Sequence, residues 1–179
     1  MVSVDHDAPL EVPWQGKYIE VRKRGRWEFA GRRGGVHAAV ILARDGDDII
    51  LIEQYRVPLG RRCLELPAGL VGDDGSDEAV ETAAGRELEE ETGYRAERIE
   101  TLGEFHSSPG MVSEGFTLVR ATGLTRVGDG GGVDGEDIVV HRVAMSGAAD
   151  FIAAKRTEGV AIDGKLLLLL AADYLKLSE

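Results

Sequence analysis

The chain has one cysteine, Cys63. No intrachain disulfide can staple it, and a reducing cytoplasm is the expected compartment. Positive charge is also short: 21 Lys and Arg stand against 32 Asp and Glu, for a net charge of -11. That surface argues against nonspecific nucleic-acid binding, which needs clustered Lys and Arg. It leaves room for a small anionic substrate, because a metal and local arginines reverse the field. Long apolar runs are missing too. The longest, Leu166 to Ala172, is too short to span a bilayer, and Met1 to Pro9 carries acids with no apolar core, so neither a membrane partner nor a signal peptide is expected. His37, His106 and His141 stand at no metal-ligand spacing and read as packing or surface residues; His6 falls in a segment read as a disordered tail.

What is present is a chain of 179 residues, 43% hydrophobic, enough for one domain with a real core. No internal repeat or interdomain linker stands out. Lys17 to Val21 and Arg26 to Ala30 read as a hairpin turning at Gly25, and Val36 to Ala43 and Ile49 to Tyr55 as strands around the turn signal Asp45-Gly46. Arg61 to Leu66 reads as a strand leading to a Pro67-Ala68-Gly69 loop. A helix is expected from a cap at Ser76 or Asp77 to about Thr92, stopped by Gly93, with Val80, Ala83, Ala84 and Leu88 as its buried stripe. Ile99 to Phe105, Phe116 to Ala121 and Ile138 to Val143 read as strands, and Ala148 to Lys155 and Gly164 to Leu177 as helices. The glycine-rich stretch Val127 to Gly135 reads as a flexible linker or a lid. Strands interleaved with helices predict an α/β or α+β sandwich.

The helix carries the chemistry. Glu87, Glu90 and Glu91 project side by side, and Arg86 lies one turn before Glu90. Carboxylates this close raise one another's pKa unless a cation joins them. Oxygen-only ligands suit a hard divalent ion such as Mg²⁺, which shares its sphere with substrate phosphates. A solvated acidic helix face is the plain alternative.

The full spacing, Gly72-x5-Glu78-x7-Arg86-Glu87-Leu88-x-Glu90-Glu91-x-Gly93-Tyr94, resembles the Nudix box, the signature of hydrolases that cut nucleoside diphosphates linked to another group. Tyr94 departs from the family's usual aliphatic residue. Leu64-Glu65-Leu66-Pro67-Ala68-Gly69 looks like the family's approach to the box; its glycine would then be Gly69 rather than Gly72, with a loop three residues longer than usual before Glu78. With Glu53-Gln54-Tyr55-Arg56 and Ser108-Pro109-Gly110, this segment is similar to the ADP-ribose pyrophosphatase group. Gly130 to Ile138 and Asp163 to Leu169 are similar to bacterial GDP-mannose hydrolases.

The resemblance implies a Nudix α/β/α sandwich with a mixed sheet over residues 36–179, preceded by a β-hairpin extension over residues 1–35. It implies a homodimer in which that extension crosses to the partner. It implies metal ligands Glu87, Glu91 and Glu90, the last directly or through water, with the carbonyl of Ala68 added. Arg86 orients these acids, and Glu78 anchors Arg86 or a metal-bound water. Glu136 matches the family's loop base, with Glu90 or Glu91 as the other choice. Arg56 either grips the diphosphate or pairs with Glu65. Tyr18 and Trp27 stack on the base or simply pack, Arg32 holds a phosphate or the base edge, and Glu114 bonds a ribose hydroxyl. The expected reaction is Mg²⁺-dependent (or Mn²⁺-dependent) hydrolysis of a nucleotide sugar, ADP-ribose giving AMP and ribose 5-phosphate. GDP-mannose is the alternative substrate, a non-catalytic ligand sensor the alternative of another class, and hydrolysis of oxidised nucleoside triphosphates a further possibility that fits the hairpin poorly.

Overall fold

The computed structural model describes residues 4–72, 78–133 and 135–171. An antiparallel meander opens the chain: β1 (Leu10–Gln15), β2 (Ile19–Arg24) and β3 (Trp27–Arg32). The expected hairpin is therefore β2 and β3, with one more strand on its edge. Gly25 takes φ +57°, and a Cβ there would stand 2.3 Å from the Asp5 carboxylate. That carboxylate accepts from the Arg26 amide at 3.3 Å and pairs with its guanidinium at 3.0 Å. The segment around His6, read as a tail, is thereby tied to the β2–β3 turn.

Next come β4 (His37–Asp45) and β5 (Asp48–Arg56), paired only at Arg44↔Ile49 and Asp45↔Asp48 around Gly46. Beyond that turn the two strands take different partners. β4 pairs antiparallel with β7 (Ala68–Val71) and parallel with β10 (Gly115–Thr122), which carries β9 (Arg98–His106). β5 pairs antiparallel with β6 (Arg61–Glu65) and β12 (Val139–Ala144), and β6 carries β13 (Ala161–Ile162) in parallel. β8 (Tyr94–Arg95) and β11 (Thr125–Arg126) form a small separate ribbon.

Both central strands are buried over most of their length, as expected where both faces of a sheet are covered. Alternation along β4 divides the core. Ala39, Ile41 and Ala43 pack with Ala84 and Leu88 of α1 (Val80–Thr92). Val40 and Leu42 join Leu51, Leu64, Leu118 and Ala148 on the other face, where Phe151 and Ile152 of α2 (Ala148–Thr157) also pack. The result is an α/β/α sandwich with a mixed sheet. Leu88 has no exposed surface, and cutting such a leucine to alanine costs about 2–5 kcal/mol.

Three local readings change. The expected cap residues Ser76 and Asp77 lie outside the described residues, and α1 starts after Ala79 with no side-chain cap. The chain from Gly164 winds as a 3₁₀ helix to Ala171, and the rest of the expected helix lies outside the described residues. A 3₁₀ turn aligns residues three apart, and here it buries Leu166 and Leu169 together. The glycine-rich stretch is tied down, not free. Its amides cap the end of α1: Val127 to the Gly93 carbonyl at 2.8 Å, Gly131 to Glu91 at 2.9 Å and Gly132 to Glu90 at 3.0 Å. The last carbonyls of a helix have no partner within it, and this loop supplies them. Backbone must approach backbone closely there. A Cβ on Gly93 would lie 2.3 Å from the Gly128 oxygen, and one on Gly130 2.4 Å from the Thr92 carbonyl carbon.

Candidate active site

A cavity of about 540 Å³ lies where β4 and β5 have parted, between the described faces of α1, β5, β6 and β7. Glu87, Glu90 and Glu91 reach it from α1, and Arg86 stands among them. Its guanidinium lies 2.9 Å from Glu87, 3.3 Å from Glu90 and 3.5 Å from Glu78. Arg86 thus ties three box acids together, one of them from before the helix.

Glu91 is the deepest of the group, 4% exposed. Its carboxylate accepts the Ala68 amide at 3.0 Å, so it is the N–H of Ala68 that meets Glu91. Burial pushes the Glu91 carboxyl up to about 8; the charges of Glu87 and Glu136 add to this, against the Ala68 amide and Arg56. The two candidate glycines serve different needs. Gly72 takes φ +74°, which favours glycine. Gly69 lies under the acids: a Cβ there would stand 2.0 Å from Glu87 Cδ.

Cations face the same space. Arg56 binds Glu65 through both arms, at 2.6 and 2.7 Å, the alternative left open by the residues alone. Arg32 pairs with Glu114, and both line the cavity. Lys165, paired with Asp163, lines it as well. No residue-level signal marked Lys165; only its position in a segment similar to GDP-mannose hydrolases bore on it. Gln54, Glu65 and Ser107 also line the cavity without having been singled out for it. Glu136 enters from the loop that caps α1, its carboxylate accepting the Val133 amide at 2.9 Å.

Tyr18 and Trp27 are elsewhere. Tyr18 is exposed in the turn before β2, with the Lys17 ammonium 4.8 Å from its ring centre. Trp27 lines a second cavity of about 330 Å³ with Arg24, Phe29, Pro109 and Val112. That cavity forms where β3 docks on the loop after β9, through Ala30 N–H to Met111 at 2.9 Å and Ser113 N–H to Ala30 at 2.9 Å. Within one chain, neither aromatic residue lines the cavity that holds the acids.

The NUDIX domain model matches residues 33–141, well over half of the chain. The chain belongs to the Nudix family. It is 37% identical to the methanol dehydrogenase activator of Bacillus methanolicus, over 79% of this chain and 72% of that one. It is 35% identical to a GDP-mannose pyrophosphatase of Cronobacter sakazakii (77% and 72% covered) and 32% identical to an ADP-ribose pyrophosphatase of Bacillus subtilis (88% and 80% covered). Among solved structures, an ADP compounds hydrolase superposes with a TM-score of 0.67 at 24% identity, covering 81% of this chain and 80% of that one; this likeness concerns the fold.

A Nudix hydrolase is expected to use Mg²⁺, and the residues fit a hard divalent cation. The available donors are carboxylate oxygens, one of them buried and short of compensating charge, and Gly69 leaves the space that a side chain would take from Glu87. Among the described residues, no three acidic, histidine or cysteine side chains converge on one point. Glu87 and Glu90 instead close on the Arg86 guanidinium.

Proposed function

We propose that this Nudix hydrolase cleaves the diphosphate of a nucleoside diphosphate sugar, with ADP-ribose as first substrate, giving AMP and ribose 5-phosphate. The observation that carries this reading is the charge layout of one cavity: Glu87, Glu90 and Glu91 from α1 face a space also lined by Arg32, Arg56 and Lys165. Acids and cations around one pocket suit a substrate that is itself a polyanion and is met in part through a divalent ion.

In this reading Glu87, Glu90 and Glu91 hold Mg²⁺ or Mn²⁺, and Arg86, braced by Glu78, orients them. When bound, the cation neutralises charge on the diphosphate. Arg56 and Lys165 hold phosphate oxygens, while Arg32 and Glu114 hold the far end of the ligand. Water attacks one phosphorus and gives its proton to Glu136, and the bridging P–O bond breaks to release a nucleoside monophosphate and a sugar phosphate. The residue 1–35 extension serves a homodimer, in which Tyr18 and Trp27 would stack on the base in the partner's site.

GDP-mannose is the second reading. It is favoured by Lys165, since the segment similar to GDP-mannose hydrolases contributes directly to the cavity wall. Product release from ADP-ribose and GDP-mannose, with Mg²⁺ and with EDTA, tests both. Metal-dependent cleavage that disappears in Glu91→Gln supports the reading, and the faster substrate chooses the branch. A folded protein that binds but cuts neither would favour a ligand sensor.

A further inference from the structure

Arg62 stands on β6 and is not part of the cavity wall. Its guanidinium nevertheless joins the core to the loop that carries Glu136. On one side Nε donates to the Glu53 carboxylate at 2.7 Å and Nη2 to the Glu53 carbonyl at 2.8 Å. On the other, Nη1 donates to the Asp137 carboxylate at 2.8 Å and Nη2 to the Asp137 carbonyl at 3.0 Å. The Glu53 end is firmly seated: its carboxylate is buried and also meets Lys155 at 2.9 Å and His141 at 3.3 Å.

Asp137 has φ +49° and is the only non-glycine among the described residues with positive φ. An L-residue persists in that region only when its surroundings hold it there. Glu136 is the residue directly before it, and its carboxylate lies in the cavity. The other end of the same loop hangs on α1 through the amides of Gly131 and Gly132. Glu136 is therefore suspended between two anchors, one on the acid-bearing helix and one on Arg62.

We propose that Arg62 is a positioning residue for Glu136: by gripping both the carboxylate and the carbonyl of Asp137, it holds the left-handed turn that aims Glu136 into the cavity. This rests on the reading of Glu136 as the base. The plainer role, neutralising buried Glu53, would affect stability and leave turnover alone.

A double-mutant cycle separates the two. Steady-state rates on ADP-ribose and GDP-mannose with Mg²⁺ are compared for wild type, Arg62→Met, Glu136→Gln and the double variant, with hydrogen exchange at the Glu136 and Ile138 amides. Arg62→Met is expected to lower kcat by about 10- to 100-fold, the scale of an ångström-sized misplacement, with KM little changed and faster exchange at those amides. In the Glu136→Gln background the same change should cost nothing further. An equal loss in both backgrounds, or unchanged exchange, overturns the proposal while leaving Glu136 as the base. No loss on Glu136→Gln alone overturns the base reading and the proposal with it. If Arg62→Met does not fold, Asp137→Gly runs the same cycle. The Asp137 side chain is 79% exposed and glycine accepts the positive φ, so this variant removes one grip without touching Glu53. Its expected loss is smaller and must likewise vanish beside Glu136→Gln.

Discussion

Glu53 and Glu91 are both buried glutamates, 6% and 4% exposed, and the chain treats them in opposite ways. Around Glu53 it assembles Lys155, Arg62 and His141. Burial opposes ionisation there, yet these partners hold the carboxyl below its ordinary value. Around Glu91 it places one backbone amide, two more carboxylates, Glu87 and Glu136, and only the charge of Arg56, already engaged by Glu65, so the carboxyl rises to about 8. A buried charge is tolerable when its partners are built in. Glu53 has them, so it acts as a structural pin. Glu91 has too few, the Ala68 amide and a shared Arg56, and this deficit suits an acid whose counter-charge arrives with the cation and substrate.

The largest expected effect separates the two by readout. Glu91→Gln should lower turnover by more than about 100-fold, the upper end of what losing an outer-shell metal partner costs, while the metal-free protein becomes no less stable. Glu53→Gln should do the reverse in chemical denaturation. Breaking a buried ion pair costs about 3–5 kcal/mol, and the partial exposure of Arg62 and Lys155 places this case near the lower figure. A Glu53→Gln protein as stable as wild type would erase the contrast.

The pH dependence sharpens it. The Glu91 carboxyl is raised in the fold from 4.5 to about 8, so its contribution to stability is complete below the lower value and is lost as pH rises through the upper. The Glu53 carboxyl is lowered, so its contribution is present above its ordinary 4.5 and is lost as pH falls through the folded value. Melting temperatures in EDTA should therefore decline between these two Glu91 values, with Mg²⁺ opposing the decline and Glu91→Gln abolishing it. A decline indifferent to both would assign it to other groups.

The smallest effect concerns Gly69. Its backbone needs no positive φ, but an added Cβ would stand 2.0 Å from both Cγ and Cδ of Glu87, so that side chain must move aside. Gly69→Ala should thus cost about 1–3 kcal/mol, the range of an added methyl in a packed site, and lower turnover about 10-fold by shifting a metal-binding carboxylate. Equal activity would show that Glu87 can move without consequence.

Much of this was legible in local pattern. The acid face of α1, its apolar stripe and its stop at Gly93 follow from helical periodicity, and β4, β5, β9, β10 and β12 follow from apolar runs bounded by turn signals. β7 was read as loop because Ala68–Val71 is short and follows a proline; it becomes a strand only because β4 offers it an open edge. The extra strand β1 was missed because its apolar residues remain exposed. The glycine-rich stretch looked free because it is dense in glycine and aspartate, whereas its partners are carbonyls of a helix some forty residues earlier. Arg62 gave no signal, since a lone arginine on a strand has no pattern to match.

Local spacing by itself determined which residue types stand on one helix face, and hence the family and the acid chemistry, because i, i+3 and i+4 neighbours meet wherever the helix is placed. Which of those acids is buried, which cations face it and what holds Glu136 were decided only by the tertiary structure. Burial and charge compensation depend on segments far apart in the chain, such as β6, the loop before β12 and the turn at Lys165, being brought around one cavity.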